Sequence, residues 1–161
     1  MSAHTLDALP ERHDFDFIHG RWTVSNRRLK ALGVGSDDWD EFPSTAWCEP
    51  RLDGLANVEQ IDCPARGWTG MAVRSFDIPA CEWVIYWISS QNGVLQPPVR
   101  GRFDRDGCTL EGPDQCNGRP VIARYIWSDI TPSSARWTQT FSFDDGRTWE
   151  ANWVMDFRRQ A

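Results

Sequence analysis

Glu59, Tyr86, Arg124 and Glu150 are the side chains of this sequence best suited to acid–base chemistry without a cofactor. A carboxyl group desolvated by tryptophans, as Glu150 or Glu59 would be inside a closed fold, has its pKa raised and can protonate or deprotonate a bound molecule. Tyr86 and Arg124 can stabilise an enolate or an oxyanion. Arg124 stands between Ile122 and Ile126, and a buried arginine needs a carboxylate or a ligand anion beside it. Glu150 and Glu59 are its candidate partners, and a purely structural ion pair is the plain alternative. A binding site needs an apolar wall with a few polar anchors. Trp22, Arg28, Asn57, Arg74, Trp87, Gln139 and Asn152 are candidates for that wall, with Arg124, Gln139 and Asn152 as the polar anchor.

Other chemistries lack their residues. The histidines are His4, His13 and His19, so a haem ligand, a Ser-His-Asp triad or a Cys-His pair has no histidine in the body of the chain. No clustered ligands suggest a metal, and Asp37-Asp38-Trp39-Asp40-Glu41 reads as a solvated turn. There is no G-x-G-x-x-G or phosphate-binding loop, so no cofactor is expected. The five cysteines are odd in number and include no C-x-x-C, which reads as reduced, mostly buried thiols in a cytoplasmic protein. A net charge of −6 leaves no basic excess for nucleic acid. No apolar run approaches a membrane span, and the first residues lack the pattern of a signal peptide.

The candidate residues matter only if strands bring them together. Ten tryptophans are spread along 161 residues, and eight of them fall in β-like segments. Strands are predicted at about 21–31, 39–49, 55–62, 68–77, 82–90, 99–104, 108–112, 121–128, 135–144 and 148–158, separated by turn-like stretches such as Leu52-Asp53-Gly54 and Gly112-Pro113-Asp114. Ten short strands joined by tight turns imply an antiparallel meander that closes and so removes its edges. The expected fold is therefore all-β: one domain over 1–161, an up-and-down barrel of about 8–10 strands. Residues 1–13 form a flexible or helical lead-in, and Asp14-Phe15-Asp16-Phe17-Ile18 form a helical turn that plugs one end. The loop Gln91–Pro98 reads either as a lid over the mouth or as a plain connection.

Gly20-Arg21-Trp22 opens the first strand, and Phe157-Arg158-Arg159 ends the last. This pairing resembles the calycin superfamily of lipocalins, fatty-acid-binding proteins, avidins and nitrobindin-like barrels. The resemblance implies that Trp22 closes the barrel floor while Arg158 or Arg159 stacks on its indole. His13–Phe17, Leu52–Asn57, Arg136–Ser142 and Asp145–Trp153 look like the uncharacterised bacterial calycin-like barrels of the DUF1579 type. That similarity implies a fold and leaves the chemistry open.

Alternation assigns faces. Trp22, Val24, Asn26 and Arg28 share one side of the first strand. In the last strand Glu150, Asn152, Val154, Asp156 and Arg158 oppose Ala151, Trp153, Met155 and Phe157. The polar set is favoured inward. The apolar stripe would then need covering, which implies a homodimer; a bulge that swaps faces midway is the alternative. Two functions follow. One is a barrel that binds a small hydrophobic or aromatic molecule in an internal tryptophan-lined cavity. The other is a cofactor-independent cyclase or isomerase of a natural-product pathway, using a cavity carboxylate.

Overall fold

Alternation of apolar and polar residues marks most strands of the chain. In a computed structural model describing residues 6–161, the strands are β1 Gly20–Leu29, β2 Trp39–Arg51, β3 Ala56–Cys63, β4 Trp68–Asp77, β5 Glu82–Ser89, β6 Val99–Asp104, β7 Gly107–Cys116, β8 Arg119–Ser128, β9 Ser134–Ser142 and β10 Glu150–Arg159. Each pairs antiparallel with its sequence neighbour, and β1 pairs with β10, so the sheet closes into a ten-stranded barrel. In β1, Trp22, Val24 and Asn26 are buried while Thr23, Ser25 and Arg27 are exposed, as a strand with one wet face requires. Residues 1–5, including His4 and the start of the expected lead-in, lie outside the described residues. From Leu6 onward the lead-in is a series of 3-10 turns, at Leu6–Ala8, Pro10–His13 and Asp16–Ile18.

The last of these turns is the expected plug. Phe15 and Ile18 are buried, and Phe15 meets Trp83 and Phe103 edge-on at 4.9 and 4.8 Å. Trp22 donates from its indole nitrogen to the Ile18 carbonyl at 2.8 Å. Arg159 is the stacked cation, 4.2 Å from the Trp22 ring, and its guanidinium also donates to the carbonyls of Phe17, His19 and Pro132. Gly20, at φ +113, leaves the space: a Cβ there would stand 2.7 Å from an Arg159 nitrogen. One stack therefore ties the first strand, the last strand and the plug together. The closed ten-stranded barrel with this floor is consistent with a calycin-like fold.

Two stretches depart from the alternation reading. Gly112-Pro113-Asp114, expected as a turn, runs inside β7. β6 pairs with β7 only up to Glu111, so beyond it one side of β7 has no ladder to break, and proline is tolerated at such an edge. The Gln91–Pro98 segment fills the wall there instead of covering the mouth. Gln96 donates its backbone N–H to the Trp87 carbonyl at 2.8 Å, and the Pro98 carbonyl lies where a Cβ on Gly112 would sit.

In β10 a bulge between Ala151 and Trp153 swaps the faces. Glu150 is paired with inward Phe141, Asn152 is the extra residue and fully buried, and from Trp153 onward the apolar set Trp153, Met155 and Phe157 points inward. The expectation that the polar set faces inward thus holds for Glu150 and Asn152 and fails from Val154 to Arg158. The stripe that would have required a second subunit is core, so that ground for a dimer disappears.

Candidate functional site

Six tryptophans are buried: Trp22, Trp68, Trp83, Trp127, Trp137 and Trp153. Together with half-buried Trp87 they fill most of the barrel. What remains is a small inner chamber of about 40 Å³, lined by Glu59, Arg74, Trp127, Trp137 and Met155 among others. A water needs roughly 10–15 Å³, so the chamber has room for a few waters and for no organic guest. Above it the open end forms a cup of about 820 Å³, within the range of ligand sites. Trp87, Tyr125, Gln139 and Trp153 line both spaces and form the layer between them.

Trp153 is the centre of that layer. Its ring meets Trp68, Trp87 and Trp137 nearly perpendicularly, at 5.7, 6.3 and 5.5 Å between centroids. Its indole nitrogen donates to Asn26 Oδ1 at 3.0 Å, and Asn26 in turn donates to the Ser44 hydroxyl at 2.8 Å. These bonds fix the ring's orientation in the low-dielectric interior. Trp87 is seated over Gly70, whose missing side chain makes the room: a Cβ there would lie 2.0 Å from the indole. Gln139 is held by Asn152, donating to its Oδ1 at 2.9 Å, so the bulge residue braces a side chain of the cup. Arg28 lies over Trp153 with its guanidinium carbon 4.4 Å from the ring.

The sequence candidates divide three ways. Arg28, Trp87 and Gln139 line the cup, with Asn152 behind Gln139. Asn57, Glu59 and Arg74 are brought together deeper, towards the plug. There Arg74 forms an ion pair with Glu59, donates to Asn57 Oδ1 at 2.9 Å, and stands over Phe15 and Trp127. Trp22 belongs to the floor. The others do not reach the site. Tyr86 pairs with Val73, one residue out of register with inward Ile85 and Trp87, and points to the outer face. Arg124 is also on the outer face, stacked on Trp149 at 3.6 Å and bonded to Glu111 at 2.7 Å, so its partner is neither Glu150 nor Glu59. Glu150 sits at the rim, where both oxygens accept from the Gly33 backbone N–H at 3.0 and 3.2 Å.

Several cup residues were not among the sequence candidates, Trp153, Tyr125 and Asp114 above all. Tyr125 and Asp114 both line the mouth. Tyr125 shares its face with Val121, Ala123 and Trp127; that run was the available signal, masked by Ile122 and Ile126 on the other face. Burial raises the Tyr125 hydroxyl pKa, and Asp114 adds to the shift. Burial also raises the Asp114 carboxyl, against a 2.7 Å bond from the Gln115 backbone N–H. The thiols give no nucleophile in the barrel: Cys48, Cys63, Cys108 and Cys116 are buried, and burial pushes Cys48 and Cys108 up to about 12. Cys81 is exposed on a turn. Among the described residues no group of acidic, histidine and cysteine side chains is placed to hold a metal, and no helix is long and apolar enough to cross a membrane. No family model matches the chain, and no curated protein matches it.

Proposed function

We propose that the barrel binds a small molecule with a flat, apolar body in the cup above Trp87 and Trp153. The observation that carries this reading is the pairing of a cup of about 820 Å³ with an aromatic base locked in place by Asn26, Gly70 and the perpendicular ring contacts. Rigid rings present contact area that loses little entropy on binding, and a preformed concave wall is what a small ligand requires. The guest sits in a half-open mouth, since the interior beneath is nearly full. The stack of Arg159 on Trp22 is what the calycin-like resemblance implies, and that resemblance adds no ligand of its own.

A second reading, a cofactor-free cyclase or isomerase, is favoured by Asp114. Glu59 is spent on Arg74 and Glu150 on Gly33, whereas Asp114 faces the cup with its carboxyl pKa raised by burial, as a proton-transfer group requires.

The binding reading is tested with naphthyl fluorophores titrated against the protein, read by quenching of tryptophan emission. Saturable binding of one equivalent is expected. Ser89→Trp, which fills the cup from β5, should weaken it about tenfold or more, equivalent to about 1.4 kcal/mol. Unchanged affinity in that variant would place the fluorophore elsewhere and overturn the reading.

A further inference from the structure

We infer that the ligand of the cup is an anion: an aromatic or polyene acid whose carboxylate, or equivalent acidic group, is held by Arg28. This rests on the binding reading above and names the ligand class. Arg28 is half-buried on the inner wall of the mouth, where burial pulls its pKa down from the usual arginine value. Desolvation of a guanidinium is costly unless a partner compensates it. Arg74, the other guanidinium lining the inner spaces, has Glu59 and Asn57. Arg28 makes no hydrogen bond and no ion pair among the described residues; its contact is the face of Trp153.

The nearby charges do not answer it. Asp40 is directly across from Arg28 in the β1–β2 register, yet both its carboxylate oxygens accept from Arg66, at 2.8 Å from Nε and 2.5 Å from Nη2. Asp38 is taken by Lys30 at 3.0 Å. Asp114 belongs to β7, four strands away around the barrel, and faces the cup from the far side. Stacking on Trp153 leaves the edge of the guanidinium, with its parallel N–H donors, free for two-point recognition of an acid group. The aryl body would then lie over Trp87 and Tyr125, and a hydroxyl or amine at its far end would meet Asp114. Lys30 and Asp40 also line the cup on the Arg28 side, but Lys30 is paired with Asp38 and Asp40 with Arg66, so Arg28 is the cation of the lining left open to an acid group.

Two probes with the same ring skeleton separate the two claims. 8-Anilinonaphthalene-1-sulfonate carries an acid group, and N-phenyl-1-naphthylamine does not. The sulfonate is expected to bind the unaltered protein about tenfold or more tighter than the amine, a preference that shrinks as salt rises. Arg28→Gln should remove that preference by weakening the sulfonate while leaving the amine within about twofold, and Arg28→Lys should restore part of it. Equal affinities in the unaltered protein, a comparison that needs no variant, would overturn the anion assignment and leave the binding reading standing. Equal loss of both probes in Arg28→Gln would also overturn it. Binding of neither probe would remove the binding reading itself.

Discussion

Asp114 occupies a position where a carboxylate is electrostatically uncomfortable: on the wall of an aromatic cup, with one backbone N–H for company. Burial raises its pKa above the 3.8 of a free aspartate. The folded chain therefore binds the proton more tightly than the unfolded chain. That contribution to stability is fully present below about pH 3.8 and is lost as pH rises through the folded pKa. Asp114→Asn should flatten this part of the pH profile, and urea midpoints measured from pH 3 to 7 would show it. An identical slope in the variant would contradict the burial assigned to this side chain. The same variant tests the enzyme reading: an enzyme using this acid loses turnover by roughly 100-fold or more, whereas a binder loses at most the one contact between Asp114 and the far end of its ligand. At this scale the sequence was legible for Arg28 and Gln139, whose polar side chains stand in register with inward neighbours, whereas β5 is apolar on both faces and offered Tyr86 as readily as Trp87. It was misleading for Arg124, because β8 has apolar residues on both faces and periodicity alone cannot choose between them.

Among the elements, the β4–β5 pair sets the height of the cup. Gly70 and Ser89 are opposite one another, and the Trp87 ring occupies the volume that any other residue at 70 would fill. Gly70→Ala should force the indole aside at a cost of about 1–3 kcal/mol, the usual range for overpacking a filled interior. Denaturant unfolding would give the cost and near-ultraviolet circular dichroism the displaced ring; a variant matching the parent in both would refute this seating. The β10 bulge acts in the opposite sense, adding a residue instead of removing one. It lets Asn152 brace Gln139 while Trp153 still reaches the centre of the barrel. Its position could not be read from alternation, since a bulge is the point where alternation stops being informative.

For the whole barrel, closure is uneven. β1 and β2 pair along their length from Gly20 to Leu29, whereas β5 and β6 pair only over Trp83–Ile85 against Val99–Gly101. Above that short ladder the wall is the Gln91–Pro98 segment, held to Trp87 by one backbone bond from Gln96. Local opening follows the fewest interstrand bonds, so amide exchange at Val99–Gly101 should be about tenfold or more faster than at the centres of β8 and β9. Uniform protection around the barrel would contradict a seam at this place. Such a seam borders the cup, which gives a guest a yielding wall beside a rigid base.

The sequence alone determined that this chain alternates, turns and closes, because inward and outward residues recur every second position and glycine, proline and aspartate mark the corners. The calycin resemblance pointed to the floor, Gly20 and Trp22 with Arg158 or Arg159, and the pairing of β1 with β10 made Arg159 the stacked cation. Only the tertiary structure decided where space is left. Whether ten indoles enclose a hollow or fill it depends on ring packing across the barrel, on one bulge and on one missing Cβ. These are relations between residues far apart in the chain, and no periodicity within a strand encodes them.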